Sequence, residues 1–254
     1  MTSRNRRQEL RLELETKRKV NINELAEKFA VSSMTIRRDL QRLSDMGIVT
    51  LVPSGAVYNE GGANLQSVAA REKNEPKEKG KIAKACADMV KEGSAVFLDA
   101  GSTCMAIAEN LATRRNIAVI THSLPVMNIL SVAEGIQLFS LAGIFDSLTK
   151  AFMGDLAIRN LRGFRIDIAF IGTCGLSITQ GVTSNNASDH GMKRAIVETA
   201  RRKIATADHT KLGTETFLKV ADLREIDTIV TGKQADKEFI NGAKRLGVEI
   251  ILAD

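Results

Sequence analysis

Two stretches of the chain bring together side chains able to do chemistry. The first runs Val31-Ser-Ser-Met-Thr-Ile-Arg-Arg-Asp-Leu40, where Arg37 and Arg38 follow Ser32, Ser33, Met34 and Thr35, with Gln41 one helical turn further on. An arginine can bind guanine O6 and N7 as a bidentate donor or grip a phosphate, and serine and threonine hydroxyls suit phosphates and base edges. The plainer alternative is a solvated helix face. The second stretch is Ala95-Val-Phe-Leu-Asp99-Ala-Gly101-Ser102-Thr103, an apolar strand-like run that enters a small-residue turn and then a helix. Glycine admits close backbone approach, the hydroxyls donate, and helix N-terminal amides favour an anion, so a phosphate is the natural guest. A well-capped strand-to-helix turn would use the same residues. No G-x-G-x-x-G or G-x-x-x-x-G-K-[ST] occurs, which leaves dinucleotide and P-loop nucleotide sites unsupported.

Lys193 and Lys211 could each add a point charge to a phosphate loop, or serve as surface lysines or salt-bridge partners. His122, at the end of an apolar run beside Ser123, could contact a ligand or be a satisfied buried histidine. Three cysteines without a C-x-x-C, and three histidines, argue against a disulfide scaffold, a zinc site or any metal centre. No cofactor is expected.

The elements that must position the first stretch are legible in its apolar spacing. A short helix is expected over 6–16 and a second from about 23, with Asn23 as N-cap and Leu25, Ala26 and Phe29 on one face. After a tight connection at Ala30-Val31-Ser32, a third helix over 33–46 has Ile36, Leu40 and Leu43 on one face and Gly47 suited to its C-terminal cap. A hairpin follows over 48–58, turning at Pro53-Ser54-Gly55. That order is a winged helix-turn-helix, whose third helix enters the major groove of double-stranded DNA. Charge agrees. Residues 1–57 hold 11 lysines and arginines against 7 acidic residues, so most of the chain's net +6 lies in under a quarter of its length. Such asymmetry favours a polyanion partner.

Residues 58–75 are polar, carry Gly61-Gly62 and end in a charged run, which predicts a linker between a domain at 1–57 and one at 76–254. In the latter, apolar runs at 95–98, 117–121, 136–141, 166–171, 203–207, 226–231 and 248–252 alternate with helical patterns. Those patterns lie at 77–91, 103–113, 123–132, 153–162, 189–201 and 236–246. Continuous apolar strands between helices predict an α/β domain with a mostly parallel sheet covered on both faces. No apolar run nears the roughly 20 residues of a membrane span, and the N-terminus has no secretory stretch, so a cytoplasmic protein is expected.

The run from Asn23 to Leu40 resembles the N-terminal signature of the DeoR family of bacterial sugar-metabolism repressors, ELA…F.VS..TIRRDL. The family's wing ends in His-Gly-Gly-Ala, where this chain has Pro53-Ser54-Gly55-Ala56. Its sensor domain is similar to ribose-5-phosphate isomerases and coenzyme A transferases. Further blocks match in order: Asp99 to Thr103, Thr121-His122-Ser123-Leu124 with His122 for Asn, Phe170-Ile-Gly172-Thr-Cys-Gly175, Asp189 to Arg194, and Asp208 to Lys211. Leu141-Ala-Gly143-Ile144 departs from the family's Leu-x-Gly-Gly.

The resemblance implies a repressor of a carbohydrate-utilisation operon, a homo-oligomer (dimer or tetramer) that binds operator DNA and responds to a phosphorylated sugar or polyol. The implied effector pocket has phosphate on Asp99, Gly101, Ser102 and Thr103. Thr121, His122, Ser123, Gly143, Gly172, Gly175, Lys193 and Lys211 complete it, with Asp99 or Asp189 accepting sugar hydroxyls. A sugar-phosphate isomerase carrying a DNA-binding domain is the competing reading. It needs a positioned acid/base pair, for which Asp99, Asp189, Asp208 and Lys211 are the candidates.

Overall fold

The computed structural model describes residues 3–45, 49–58 and 68–254, in two compact units, Met1–Ala70 and Arg71–Asp254. The first unit contains α1 (Ser3–Lys17), β1 (Lys19–Asn21), α2 (Ile22–Lys28), α3 (Ser33–Asp45), β2 (Val49–Val52) and β3 (Gly55–Tyr58). The hairpin β2–β3 forms as the alternation requires, with Leu51 opposite Ala56. A third strand, β1, pairs antiparallel with β3 and was not expected, because three residues are too few to display a period. The N-cap of α2 is Asn21 and not Asn23: its side chain accepts a 2.8 Å hydrogen bond from the Asn23 amide. The helix starts earlier because Ile22 belongs to the core, alongside Leu25, Phe29, Ile36 and Leu40. Gly47 and most of the expected linker (59–67) lie outside the described residues. Within the rest of that linker, Tyr58 ends β3 and Val68–Glu72 form a short helix, α4.

The second unit follows with α5 (Pro76–Asp88), β4 (Ala95–Leu98), α6 (Ser102–Leu111), β5 (Ile117–Thr121), α7 (Leu124–Leu130) and β6 (Ile136–Ser140). Next come β7 (Ile144–Asp146), β8 (Ala151–Met153), α8 (Asp155–Leu161), β9 (Ile166–Gly172), β10 (Gly175–Ser177) and β11 (Gly181–Ser184). The chain closes with α9 (Ala187–Thr199), β12 (Ala200–Thr206), β13 (Leu218–Ala221), β14 (Thr228–Gly232), α10 (Lys237–Arg245) and β15 (Glu249–Ala253). The seven apolar runs of the sequence are the seven strands of one sheet, ordered β15-β14-β12-β9-β4-β5-β6. Every pairing in it is parallel.

Two buried clusters explain why those runs are continuously apolar. Phe97, Ile120 and Ala169 pack on one face of the sheet, while their neighbours Val96, Val119 and Phe170 pack on the other. Successive side chains of a strand alternate faces, so a sheet covered on both sides needs apolar residues at every position. The short antiparallel pairs β7–β8 and β10–β11–β13 were not anticipated. They hold three or four residues per strand, too few to stand out in the sequence.

From β4 the chain moves outward through β5 to β6, then returns to the other side through β9, β12 and β14. The order reverses between β4 and β9. In open α/β sheets a crevice forms at the carboxyl ends of the strands at such a point. Asp99 to Thr103 leaves the end of β4 and Gly172 the end of β9, so topology brings the two segments together. Among the described residues, no helix is long and apolar enough to cross a membrane.

Candidate functional site

Helix α3 buries Ile36 and Leu40 completely and turns Ser33, Met34, Arg37, Arg38 and Gln41 outward. Ser32 caps it: its Oγ accepts from the Thr35 amide at 3.2 Å and lies 2.9 Å from the Thr35 hydroxyl. Ser32 thus holds the helix start in place as well as standing exposed beside it. The connection before it is tight because Ala30 adopts a left-handed φ of 50°. Among the described residues, neither Arg37 nor Arg38 is paired with a carboxylate, and both are exposed. Asp39 has another part. It is buried and accepts a 2.7 Å hydrogen bond from Arg6 Nε of α1, itself almost fully buried. The sequence did carry that signal, since Asp39 lies on the apolar face between Ile36 and Leu40, three residues after the one and one before the other.

The second site is the crevice at the β4–β9 reversal. Gly101, Ser102, Thr103, Gly172, Lys193 and Lys211, all anticipated, line it. Gly101 has a φ of 140°, a conformation side chains resist, and as N-cap it supplies no side-chain hydrogen bond to α6. The first-turn amides of α6 are therefore left without a side-chain cap, as an anion-binding helix end requires. The cavity also takes in Arg71, Asn74, Lys79, Thr173, Cys174 and Asp208, which the sequence did not assign to it. Arg71 and Asn74 fall in the expected linker, yet Arg71 Nη1 lies 4.0 Å from where a Cβ on Gly101 would stand. Arg71 Nε is buried with no hydrogen-bond partner in the protein.

Electrostatically the cavity is unbalanced: Arg71, Lys79, Lys193 and Lys211 face one carboxylate of the lining, Asp208. Burial pushes the Lys79 ammonium below the ordinary lysine range. Asp208, 3.9 Å away, opposes that shift, while Lys211 and Arg71 add to it. Cys104, beneath the turn, is pushed up to about 12 by burial, so its thiol stays protonated.

Seven expected pocket residues, Asp99 among them, are not brought to this cavity. Thr121 is fully buried, its hydroxyl donating to the Leu98 carbonyl at 2.7 Å, and Ser123 caps α7. Gly143 and Gly175 are packing glycines: a Cβ would meet the Met153 carbonyl oxygen at 2.5 Å in the first and the Thr214 carbonyl oxygen at 2.7 Å in the second. His122 and Asp189 join a buried charge network one layer below the cavity. Asp99 Oδ1 accepts from the Ala100 amide at 2.7 Å and lies 3.0 Å from His122 Nε2. Its Oδ2 accepts from the Gly172 amide at 3.0 Å and from Lys193 Nζ. Asp189 lies 3.5 Å from the same Nζ and accepts from the Ser184 hydroxyl. Burial would push the Asp99 carboxyl up, but the Lys193 ammonium and the His122 hydrogen bond outweigh it and hold it well below the usual carboxylate range. Burial would likewise lower Lys193, yet Asp189 and Asp99 hold it above its ordinary value. Asp99 is therefore a foundation that carries Lys193 to the cavity, with both oxygens already committed.

Comparison with known proteins finds two domain families along the chain. Residues 6–61 match the DeoR-like helix-turn-helix domain and residues 74–233 the DeoR C terminal sensor domain. The HTH-type transcriptional repressor GlcR of Bacillus subtilis is 33% identical over 224 residues, 88% of this chain and 86% of that protein. The glycerol-3-phosphate regulon repressor of Escherichia coli is 28% identical over 218 residues, 84% of each chain. A solved ribose-5-phosphate isomerase from Methanocaldococcus jannaschii is 21% identical with a TM-score of 0.42 over 55% of each chain. With both of its domains matched and a repressor one-third identical along most of its length, the chain belongs to the DeoR family of transcriptional regulators.

Proposed function

We propose that this regulator represses a carbohydrate-utilisation operon by holding operator DNA with α3, and that a phosphorylated sugar or polyol bound in the sensor unit biases that grip. The observation that carries the effector reading is the cation-rich crevice at the sheet reversal, where Arg71, Lys79, Lys193 and Lys211 surround an uncapped helix start. A phosphate dianion there would relieve the mutual repulsion of Arg71, Lys79 and Lys211 and fill the amide and guanidinium positions that the protein leaves open. The metabolite's unequal affinity for the DNA-bound and free states would set how far the switch moves.

Binding without turnover is the reading favoured over an isomerase. Proton abstraction needs a carboxylate free to meet the substrate. Both Asp99 oxygens are bonded within the protein, and Asp189 is engaged by Ser184 and Lys193. Asp208, the carboxylate that lines the cavity, accepts from the Thr210 amide and hydroxyl and lies 3.9 Å from Lys79. Calorimetric titration with matched phosphorylated and free sugars is the test. The phosphorylated member is expected to bind at least tenfold tighter, since charge-assisted bonds exceed neutral ones by about 1–2 kcal/mol. Lys211→Ala and Ser102→Ala should each erode that difference. Equal affinities for the two sugars would remove the phosphate site, and turnover of the bound sugar would restore the isomerase.

A single winged unit spans few base pairs, so a second copy is needed to read a unique operator. We expect a dimer or tetramer whose contacts come mainly from the sensor unit, on half-sites spaced by whole helical turns of about 34–36 Å. Sedimentation in the presence and absence of operator DNA checks this; a monomer under both conditions contradicts it.

A further inference from the structure

The turn that delivers Asp208 and Lys211 to the cavity is a single 3-10 turn, His209–Lys211, with no buried residue of its own. Something else must fix it. That group is Glu78 of α5, a carboxylate only 4% exposed. Its Oε1 accepts from the His209 amide at 2.8 Å and from the Gly232 amide at the end of β14 at 3.1 Å. Its Oε2 lies 2.6 Å from His209 Nδ1. A Cβ on Gly232 would stand 2.3 Å from the same carboxylate and would displace it. The adjacent residue on α5, Lys79, donates its ammonium to the carbonyls of Arg71 and Asn74 and lies 3.9 Å from Asp208. Consecutive residues of one helix thus grip two of the segments that bring charge to the cavity, the one at Arg71 and the one at Asp208 to Lys211.

Resting on the anion-binding reading above, we propose that Glu78 is the positioning residue of the sensor pocket. The His209 imidazole that it clasps makes the pocket's anion affinity depend on pH. The charged groups around His209 are Glu78 of α5, Glu75 at the N-cap of that helix, and Asp208 and Lys211 of its own turn, with Lys79 3.9 Å from Asp208; β14 contributes the Gly232 amide. The Glu78 hydrogen bond, followed by the charges of Glu75 and Asp208, raises the imidazole above the ordinary histidine value, against the lowering effect of partial burial. The sign follows. Below the raised value the imidazolium neutralises Glu78 and the clasp is an ion pair. As pH rises through that value, the pair is left with a net negative charge beside the cavity and the clasp weakens, so anion affinity falls. By reciprocity, a bound anion must raise the imidazole further.

Sulfate is the suitable probe, because it is a tetrahedral dianion that does not itself titrate near neutrality. The chain has three histidines, so the His209 ring can be followed individually by NMR in the full-length protein. The His209 midpoint should lie above about 6.5, fall in Glu78→Gln and rise on adding sulfate. Sulfate affinity should weaken as pH passes that midpoint and drop roughly tenfold in Glu78→Gln, as when the outer partners of a binding group are removed. His209→Gln keeps a hydrogen-bonding side chain and should bind sulfate with a flat pH profile, so it carries the test even if Glu78→Gln does not fold. A His209 midpoint indifferent to Glu78→Gln overturns the clasp. A wild-type pH profile in His209→Gln overturns its coupling to the pocket. If Glu78→Gln moves the midpoint but wild-type protein binds no sulfate, the anion pocket itself is lost and the pH coupling with it, while the clasp stands.

Discussion

The double variant Arg37→Ala, Arg38→Ala is expected to lose specific operator binding while keeping its fold. Neither arginine is tied to a carboxylate among the described residues, whereas the apolar face of the same helix is buried. Their removal should therefore leave the core of the winged unit intact. Each arginine that reads a guanine contributes about 1–3 kcal/mol of discrimination. One that only grips phosphate would weaken all sequences alike and reduce the salt slope by about one. Fluorescence anisotropy against operator and scrambled duplexes, at two salt concentrations, separates these contributions. Circular dichroism should show an unchanged helix signal. Operator affinity equal to wild type would reassign the recognition surface.

The largest expected effect on stability comes from Lys193→Met. Methionine preserves much of the lysine stem but removes the ammonium, which leaves Asp99 buried without its lysine partner. Breaking a buried ion pair on one side typically costs about 3–5 kcal/mol, because the remaining charge stays desolvated. For a unit of this size that corresponds to roughly 6–20 °C in melting temperature. The pH dependence has a definite sign. Asp99 is held below its unfolded value near 3.9, so its contribution is present above that value and disappears as pH falls through the depressed one. Lys193 is held above its unfolded value near 10.4, so its contribution is complete below that value and disappears only in strong alkali. The difference between wild type and variant should therefore stay constant from about pH 5 to 8 and shrink in acid. Scanning calorimetry across that range measures it. A variant that melts with the wild type at neutral pH would mean that Asp99 does not depend on Lys193.

Much of the architecture was written in local pattern. A strand buried on both faces must be apolar throughout, so all seven strands of the parallel sheet were legible within a few residues. The outward face of α3 was equally legible, since a period of 3.6 separates Ile36 and Leu40 from Arg37 and Arg38 without reference to anything distant. The strand-to-helix turn at Gly101 was readable for the same local reason.

What escaped the sequence were the relations between distant segments. The seven runs do not state their order in the sheet, and that order sets Gly172 and the Asp208–Lys211 turn beside Gly101. Arg71 and Lys79 read as linker and helix-surface charge until the fold carries them to the cavity from 30 and 22 residues upstream of Gly101. His122, Asp99 and Asp189 have residue types that suit a ligand. Only the tertiary structure could assign them inward, because a buried charge takes partners from wherever the chain supplies them: here Lys193, 94 residues from Asp99. Local periodicity determines which face of an element is apolar. The pairing of buried charges is decided by the desolvation they share once folded, and that has no local signature.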